Sequence, residues 1–154
     1  MKNIFAAVRE VAEQNKDVQI IFPMHKNPLI RDLARESFKG IENKVALIEP
    51  LEYVDFANLM NKCYLIMTDS GGIQEEAPAL GKPVVVLRTE TERPEAVKAG
   101  TVKLAGVERN KIFEITNELV IDDLEYHKMA HAINPYGDGK ACERIVELIV
   151  KHFE

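Results

Sequence analysis

The residues best suited to chemistry lie at 68–76, where Thr68-Asp69-Ser70-Gly71-Gly72 links an apolar strand to a helix. Two glycines let a backbone approach a ligand closely, and the first amides of a helix have no internal partners. Such a turn can cradle a phosphate, with the Ser70 hydroxyl as a further donor. It can equally be a plain strand-to-helix turn with Ser70 as its N-cap. Glu76 stands four residues after Gly72, on the same helix face and about 6 Å further along. A carboxylate there can accept hydrogen bonds from a ribose diol, or simply complement the positive end of the helix. Gln74 and Glu75 are expected to face elsewhere.

Two other loops carry concentrated polar content. In Pro23-Met24-His25-Lys26-Asn27-Pro28, His25 can donate to phosphate or move a proton near neutral pH. In Arg88-Thr89-Glu90-Thr91-Glu92-Arg93-Pro94-Glu95, Arg88 and Arg93 can clamp a diphosphate or a sugar, with Glu92 orienting one of them. A charged surface loop is the alternative. His127 and His131 are helical neighbours that could contribute to a metal site, but no third ligand accompanies them; a solvated helix face is the simpler reading.

The elements that must position these loops alternate along the chain. Helix 1 carries Ile4, Phe5, Val8, Val11 and Ala12 on one face and fades at Gln14-Asn15-Lys16. Strands are expected at 18–22, 45–48, 64–67, 84–87 and 101–104. Helices are expected from Pro28 to Gly40, 53–62, 71–80, about 109–120, about 123–131 and about 139–152, with a short one after Arg93. The strands are continuous apolar runs, as in a parallel sheet covered on both faces. Alternation of this kind specifies an α/β, Rossmann-like parallel sheet flanked by helices. All three polar loops then leave carboxyl ends of strands, where open α/β sheets bind ligands.

Composition narrows the partners. The chain has 154 residues, 46% of them hydrophobic, with a net charge of −5. That balance argues against a protein that tracks nucleic-acid phosphates, and no apolar run approaches the roughly 20 residues of a membrane helix. Cys63 and Cys142 are far apart, suit packing positions, and fit a reducing cytoplasm.

Five phrases together resemble the non-hydrolysing UDP-N-acetylglucosamine 2-epimerases of bacteria and archaea: 23–28, the long Thr68–Pro78 run, Gly81-Lys82-Pro83, Thr91–Glu95, and Asn134-Pro135-Tyr136-Gly137-Asp138-Gly139-Lys140-Ala141. The resemblance covers essentially the whole chain and matches the C-terminal half of that family. It implies the UDP-binding domain, residues 1–154, of a GT-B-like two-domain enzyme that interconverts UDP-GlcNAc and UDP-ManNAc by eliminating and re-adding UDP. By the same resemblance Ser70, Gly71 and Gly72 hold phosphate, Glu76 the ribose, and Phe56 lies beside the uracil. His25 contacts the diphosphate or transfers a proton, and Arg93 is an active-site arginine. No cofactor or metal is implied.

Departures from the family are also visible. Family members are considerably longer, and their N-terminal half supplies several carboxylates assigned to catalysis. Met1-Lys2-Asn3-Ile4-Phe5 resembles an internal stretch, so the expected partner is the missing N-terminal domain, and the chain alone is expected to be inactive. If the strand before helix 1 is central to the sheet, its place is filled by a neighbouring chain, as in a homo-oligomer, or leaves an exposed edge. Ala57 stands where some bacterial members carry a histidine of an allosteric site. A UDP-binding module without turnover, a GT-B glycosyltransferase domain and a hydrolysing epimerase are the other readings. The phrases at 91–95 and 134–139 weigh against the glycosyltransferase.

Overall fold

The computed structural model describes residues 1–153. Helix α1 (Lys2–Gln14) leads into β1 (Ile20–Pro23), α2 (Pro28–Ser37) and β2 (Val45–Ile48). Then follow α3 (Tyr53–Lys62), β3 (Ile66–Thr68), α4 (Gly71–Ala79), β4 (Val84–Val86), α5 (Pro94–Ala99) and β5 (Val102–Leu104). Three helices close the chain: α6 (Arg109–Ile121), α7 (Asp123–Ala130) and α8 (Ala141–Phe153).

Every strand pairing is parallel, so the fold is α/β with parallel sheet flanked by helices. The sheet is divided, however, into β1-β2 and β3-β4-β5, with no ladder between them. Ile20 pairs with Val45 in the first half, and Val84 pairs with Ile66 and Val102 in the second.

One core spans both halves. The periodic apolar face of α1 places Ile4, Phe5, Ala7, Val8 and Ala12 in the same cluster as Ile112 and Leu119 of α6 and Val85 of β4. Phe5, Phe22 and Phe38 form an aromatic trio there, with centroids 5.3 to 6.5 Å apart in edge-on or tilted pairs. A second cluster lies on the other face of the β3-β4-β5 half, where Ala77 of α4 and Ala96 of α5 meet Val84, Val86 and Val102.

The helix ends follow local chemistry. Pro28 opens α2, with the Asn27 side chain accepting from the Leu29 amide. Gly81, at φ +66°, follows α4 with a backbone that a larger residue adopts only under strain. The helices thus fall within one or two residues of expectation, except that α2 stops at Ser37. β2 falls where expected, and the other four strands are one residue shorter, with β1 starting at Ile20 and β3 at Ile66.

Two helices lack the cover their sequences call for. Only Met60 of α3 is buried, and Tyr53 and Val54 stand exposed. No residue of α8 is buried, although Ile145, Leu148 and Ile149 belong to an apolar stripe. Cys142 on α8 is therefore exposed and is not a packing residue, a correction to the expectation. Cys63 is half-buried, and burial raises its thiol pKa. Among the described residues no helix is long and apolar enough to cross a membrane.

Candidate functional site

Strand β3 ends in the buried Thr68, whose hydroxyl oxygen accepts from the Ser70 amide at 3.0 Å. This bond sets the turn into α4. The Ser70 backbone is extended (φ −82°, ψ 131°), and its carbonyl accepts from the Gln74 amide to close the first helical turn. Its hydroxyl makes no capping bond, contrary to the ordinary N-cap reading, and stays available to a ligand. The amides of Gly71, Gly72 and Ile73 precede the first intrahelical bond, so they are unpaired donors at the positive end of the helix. No acidic residue belongs to this first turn.

The two glycines lie between charged groups. From the point where a Cβ would sit on Gly72, Glu76 Oε1 is 3.8 Å away and Ser70 Oγ 3.9 Å. From the equivalent point on Gly71, Glu92 Oε2 is 3.8 Å and Arg93 Nη2 3.9 Å away. The expected group of Ser70, Gly71, Gly72, Glu76 and Arg93 is therefore brought together at the tip of α4. Tyr53 adds to it by donating its hydroxyl to Glu76 Oε2 at 3.1 Å. That bond raises the Tyr53 pKa and ties the start of α3 to the tip. Phe56, half-buried, follows three residues later on α3.

Arg93 is held by residues that the sequence reading set aside. Its Nε donates to Glu75, which corrects the expectation that Glu75 faces elsewhere. This hydrogen bond, with the carboxylate charge behind it, raises the Arg93 pKa. Gln74 is fully buried, donates to the Ser70 carbonyl, and accepts the Thr91 hydroxyl at 2.6 Å. Thr91 in turn accepts from the Arg93 amide at 3.1 Å. The loop after β4 is thus fastened to α4 through a part-buried chain of hydrogen bonds. Glu92 pairs with Arg88 at 3.2 Å, as expected of the residue that orients one of the two arginines. The spacing did contain the missed signal, since Glu75 stands four residues after Gly71 just as Glu76 does after Gly72.

The 134–141 phrase backs this cluster. Tyr136 packs on the second core, and its hydroxyl is buried with no hydrogen-bond partner among the described residues. Burial, followed by the charge of Glu95, pushes its pKa up to about 12.

His25 is placed apart. It lies exposed in the loop after β1, and its Nδ1 accepts from the Asn27 amide at 3.1 Å, which assigns the proton to Nε2. The His25 carbonyl accepts from Arg31, which is fixed by a two-pronged pair with Glu49. No hydrogen bond or ion pair connects His25 to the α4 tip among the described residues. His127 and His131 stack at 5.4 Å, and no group of three metal-ligating side chains includes them among the described residues.

The Bacillus subtilis UDP-N-acetylglucosamine 2-epimerase is 52% identical over 153 residues, which is 99% of this chain and 40% of that protein. Two solved structures superpose closely: a S. aureus protein with UDP (TM-score 0.91, 49% identity) and the Neisseria meningitidis UDP-GlcNAc 2-epimerase bound to UDP-GlcNAc (TM-score 0.92, 48% identity). They match 99% and 98% of this chain, and each match takes up 41% of the solved chain. The chain thus spans about 40% of the length of the curated relatives it matches. The sequence pattern defining one family runs through both half-sheets and the α4 tip, matching residues 1–150, and by that match the chain belongs to the UDP-N-acetylglucosamine 2-epimerase family.

Proposed function

We propose that residues 1–154 form the UDP-binding domain of a non-hydrolysing UDP-GlcNAc 2-epimerase, and that this chain alone binds UDP without turning over substrate. The carrying observation is the α4 tip, where a free serine hydroxyl and two glycines lie between Glu76 and Arg93. Relatives solved with UDP and with UDP-GlcNAc support the choice of ligand. The diphosphate lies across the amides of Gly71 and Gly72 and the Ser70 hydroxyl. Glu76 accepts from the ribose hydroxyls, and Phe56 lies along the uracil. Two free cysteines fit a cytoplasmic enzyme.

In the proposed reaction, a base removes the proton from sugar C2 and the C1–O bond to UDP breaks. Its electron pair leaves on the diphosphate, and a C1–C2 double bond forms. Return of a proton to the opposite face of C2, with re-addition of UDP oxygen to C1, gives the epimer. Charge builds on the departing diphosphate, so the helix amides, Ser70 and Arg93 stabilise the transition state more than the ground state. Glu75 keeps the Arg93 guanidinium aimed. His25 donates Nε2–H to the diphosphate or relays a proton. Groups from the rest of the longer enzyme are needed to place the sugar and exclude water, which is why turnover is not expected here.

Titration of UDP into wild type and Glu76→Ala tests the reading. A loss of about tenfold or more in affinity is expected from removing a charged hydrogen-bond acceptor. Equal affinities refute the ribose assignment. Formation of UDP-ManNAc from UDP-GlcNAc by this chain alone would refute its inactivity. Release of free ManNAc by the longer enzyme would assign it to the hydrolysing class.

A further inference from the structure

Helices α3 and α4 meet through a single side-chain hydrogen bond among the described residues, from the Tyr53 hydroxyl to Glu76 Oε2 at 3.1 Å. Helix α3 buries only Met60, so little else fixes its first turn. Glu76 is exposed, and among the described residues Tyr53 is the one side chain that donates to it.

This bond makes the two oxygens of Glu76 unequal. Oε2 is taken up by the phenol. Oε1 lies beside Gly72 together with the Ser70 hydroxyl, at 3.8 and 3.9 Å from the point where a Cβ would sit. The free oxygen is therefore on the side of the unpaired helix amides. An ionised carboxylate only accepts, so the phenol facing it must donate. The same bond raises the Tyr53 pKa, which keeps that donor protonated. Without Tyr53 the Glu76 side chain would have the rotamer freedom of any surface glutamate.

We propose that Tyr53 is a positioning residue for nucleotide recognition: by holding Oε2 it fixes Glu76 with Oε1 directed at the ribose hydroxyls of a nucleoside diphosphate seated on Gly71 and Gly72. The inference rests on the UDP-binding reading and adds to it the residue that sharpens selection for a ribose diol. Its action runs through Glu76. A side chain ordered before the ligand arrives has no ordering cost left to meet on binding.

A purely structural role for Tyr53 makes a different demand. Phe56 stands three residues further on the same face of α3. If Tyr53 served only to anchor α3, its loss would disturb Phe56 and weaken every uridine nucleotide alike. If it aims Glu76, its loss matters only to a ligand with ribose hydroxyls to donate.

The test is calorimetric titration of UDP and of 2′,3′-dideoxy-UDP into wild type, Tyr53→Phe, Glu76→Ala and the double variant, with the Tm of each. Tyr53 is 66% exposed, so phenylalanine should leave the Tm unchanged. Tyr53→Phe should weaken UDP by about three- to tenfold and leave 2′,3′-dideoxy-UDP unaffected. In the Glu76→Ala background it should cause no further loss, because the two residues act as one unit. Equal UDP affinity in wild type and Tyr53→Phe, with Glu76→Ala weaker, overturns the role of Tyr53 and leaves the ribose assignment standing. Equal losses for both ligands in Tyr53→Phe, or an added loss in the double variant, overturn it in favour of anchoring α3. A wild type that binds both ligands equally removes the ribose assignment of Glu76 and this inference with it.

Discussion

Strands β1 and β4 are both short and apolar, but their surroundings differ sharply. Val84, Val85 and Val86 of β4 are fully buried, whereas Ile21 of β1 is nearly half exposed. Strand β4 has a partner on each edge and helices on both faces; β1 has one partner and one well-covered face. Burial of an apolar strand therefore depends on its neighbours and not on its own composition. The difference also explains where a ligand site can be formed within this chain. The α4 tip stands on the three-stranded half, held by Gln74 and Thr91, while His25 leaves the two-stranded one.

The largest expected effect tests the link between the halves. Ile112 of α6 is fully buried in the shared core. Ile112→Ala should destabilise the chain by about 2–5 kcal/mol in denaturant unfolding. Ile21→Thr, at the free edge, should change stability by no more than about 0.5 kcal/mol. Comparable losses at both sites would abolish the contrast between the halves.

A smaller effect is expected at Thr91. Replacing it with valine leaves the buried Gln74 carbonyl unpaired and releases the Arg93 amide, at a cost of about 1–2 kcal/mol. The same variant should weaken UDP binding, because the loop no longer presents Arg93 to Gly71. Unchanged UDP affinity in Thr91→Val would separate that loop from the site.

The smallest effect is a pH dependence at the outer side of the three-stranded half. Glu125 is held below its ordinary pKa of 4.5, first by the hydrogen bond from Lys103 and then by that from Lys128. Its contribution is complete above pH 4.5 and disappears as the pH falls through the depressed value. Lys103→Met should therefore lower the Tm slightly at neutral pH, and the gap from wild type should close as acid protonates Glu125. A gap of constant size down to low pH would assign the loss to packing and not to the ion pair.

Much of this was legible in the sequence because local signals agreed. Periodicity located α1 and α3, Pro28 and Gly81 marked helix boundaries, and the spacing of Ser70, Gly72 and Glu76 placed them at one helix tip. Other features depended on packing at long range. The hold of Glu75 on Arg93 joins residues 18 positions apart; the spacing could put Glu75 near the tip but could not name Arg93 as its partner. The division of the sheet was foreseen only as a possibility and only through the family resemblance, since β1 and β3 each look like complete strands in their own residues. Exposure of Cys142 escaped for a related reason: an amphipathic pattern marks a face to be covered but cannot say that the cover lies within the chain.

The most direct measurement is calorimetric titration of UDP into wild type and Gly72→Ala, with the Tm of each. Gly72 has no positive φ, and a Cβ there would meet Glu76 and Ser70 only at ordinary contact distances of 3.8 and 3.9 Å. Alanine also favours helix, so the variant should fold with an unchanged or higher Tm. The added methyl nevertheless occupies the space through which the diphosphate reaches the amides. UDP affinity should then fall by about tenfold or more while stability holds. Equal UDP affinity in the two folded proteins would contradict the assignment of the α4 tip as the phosphate site.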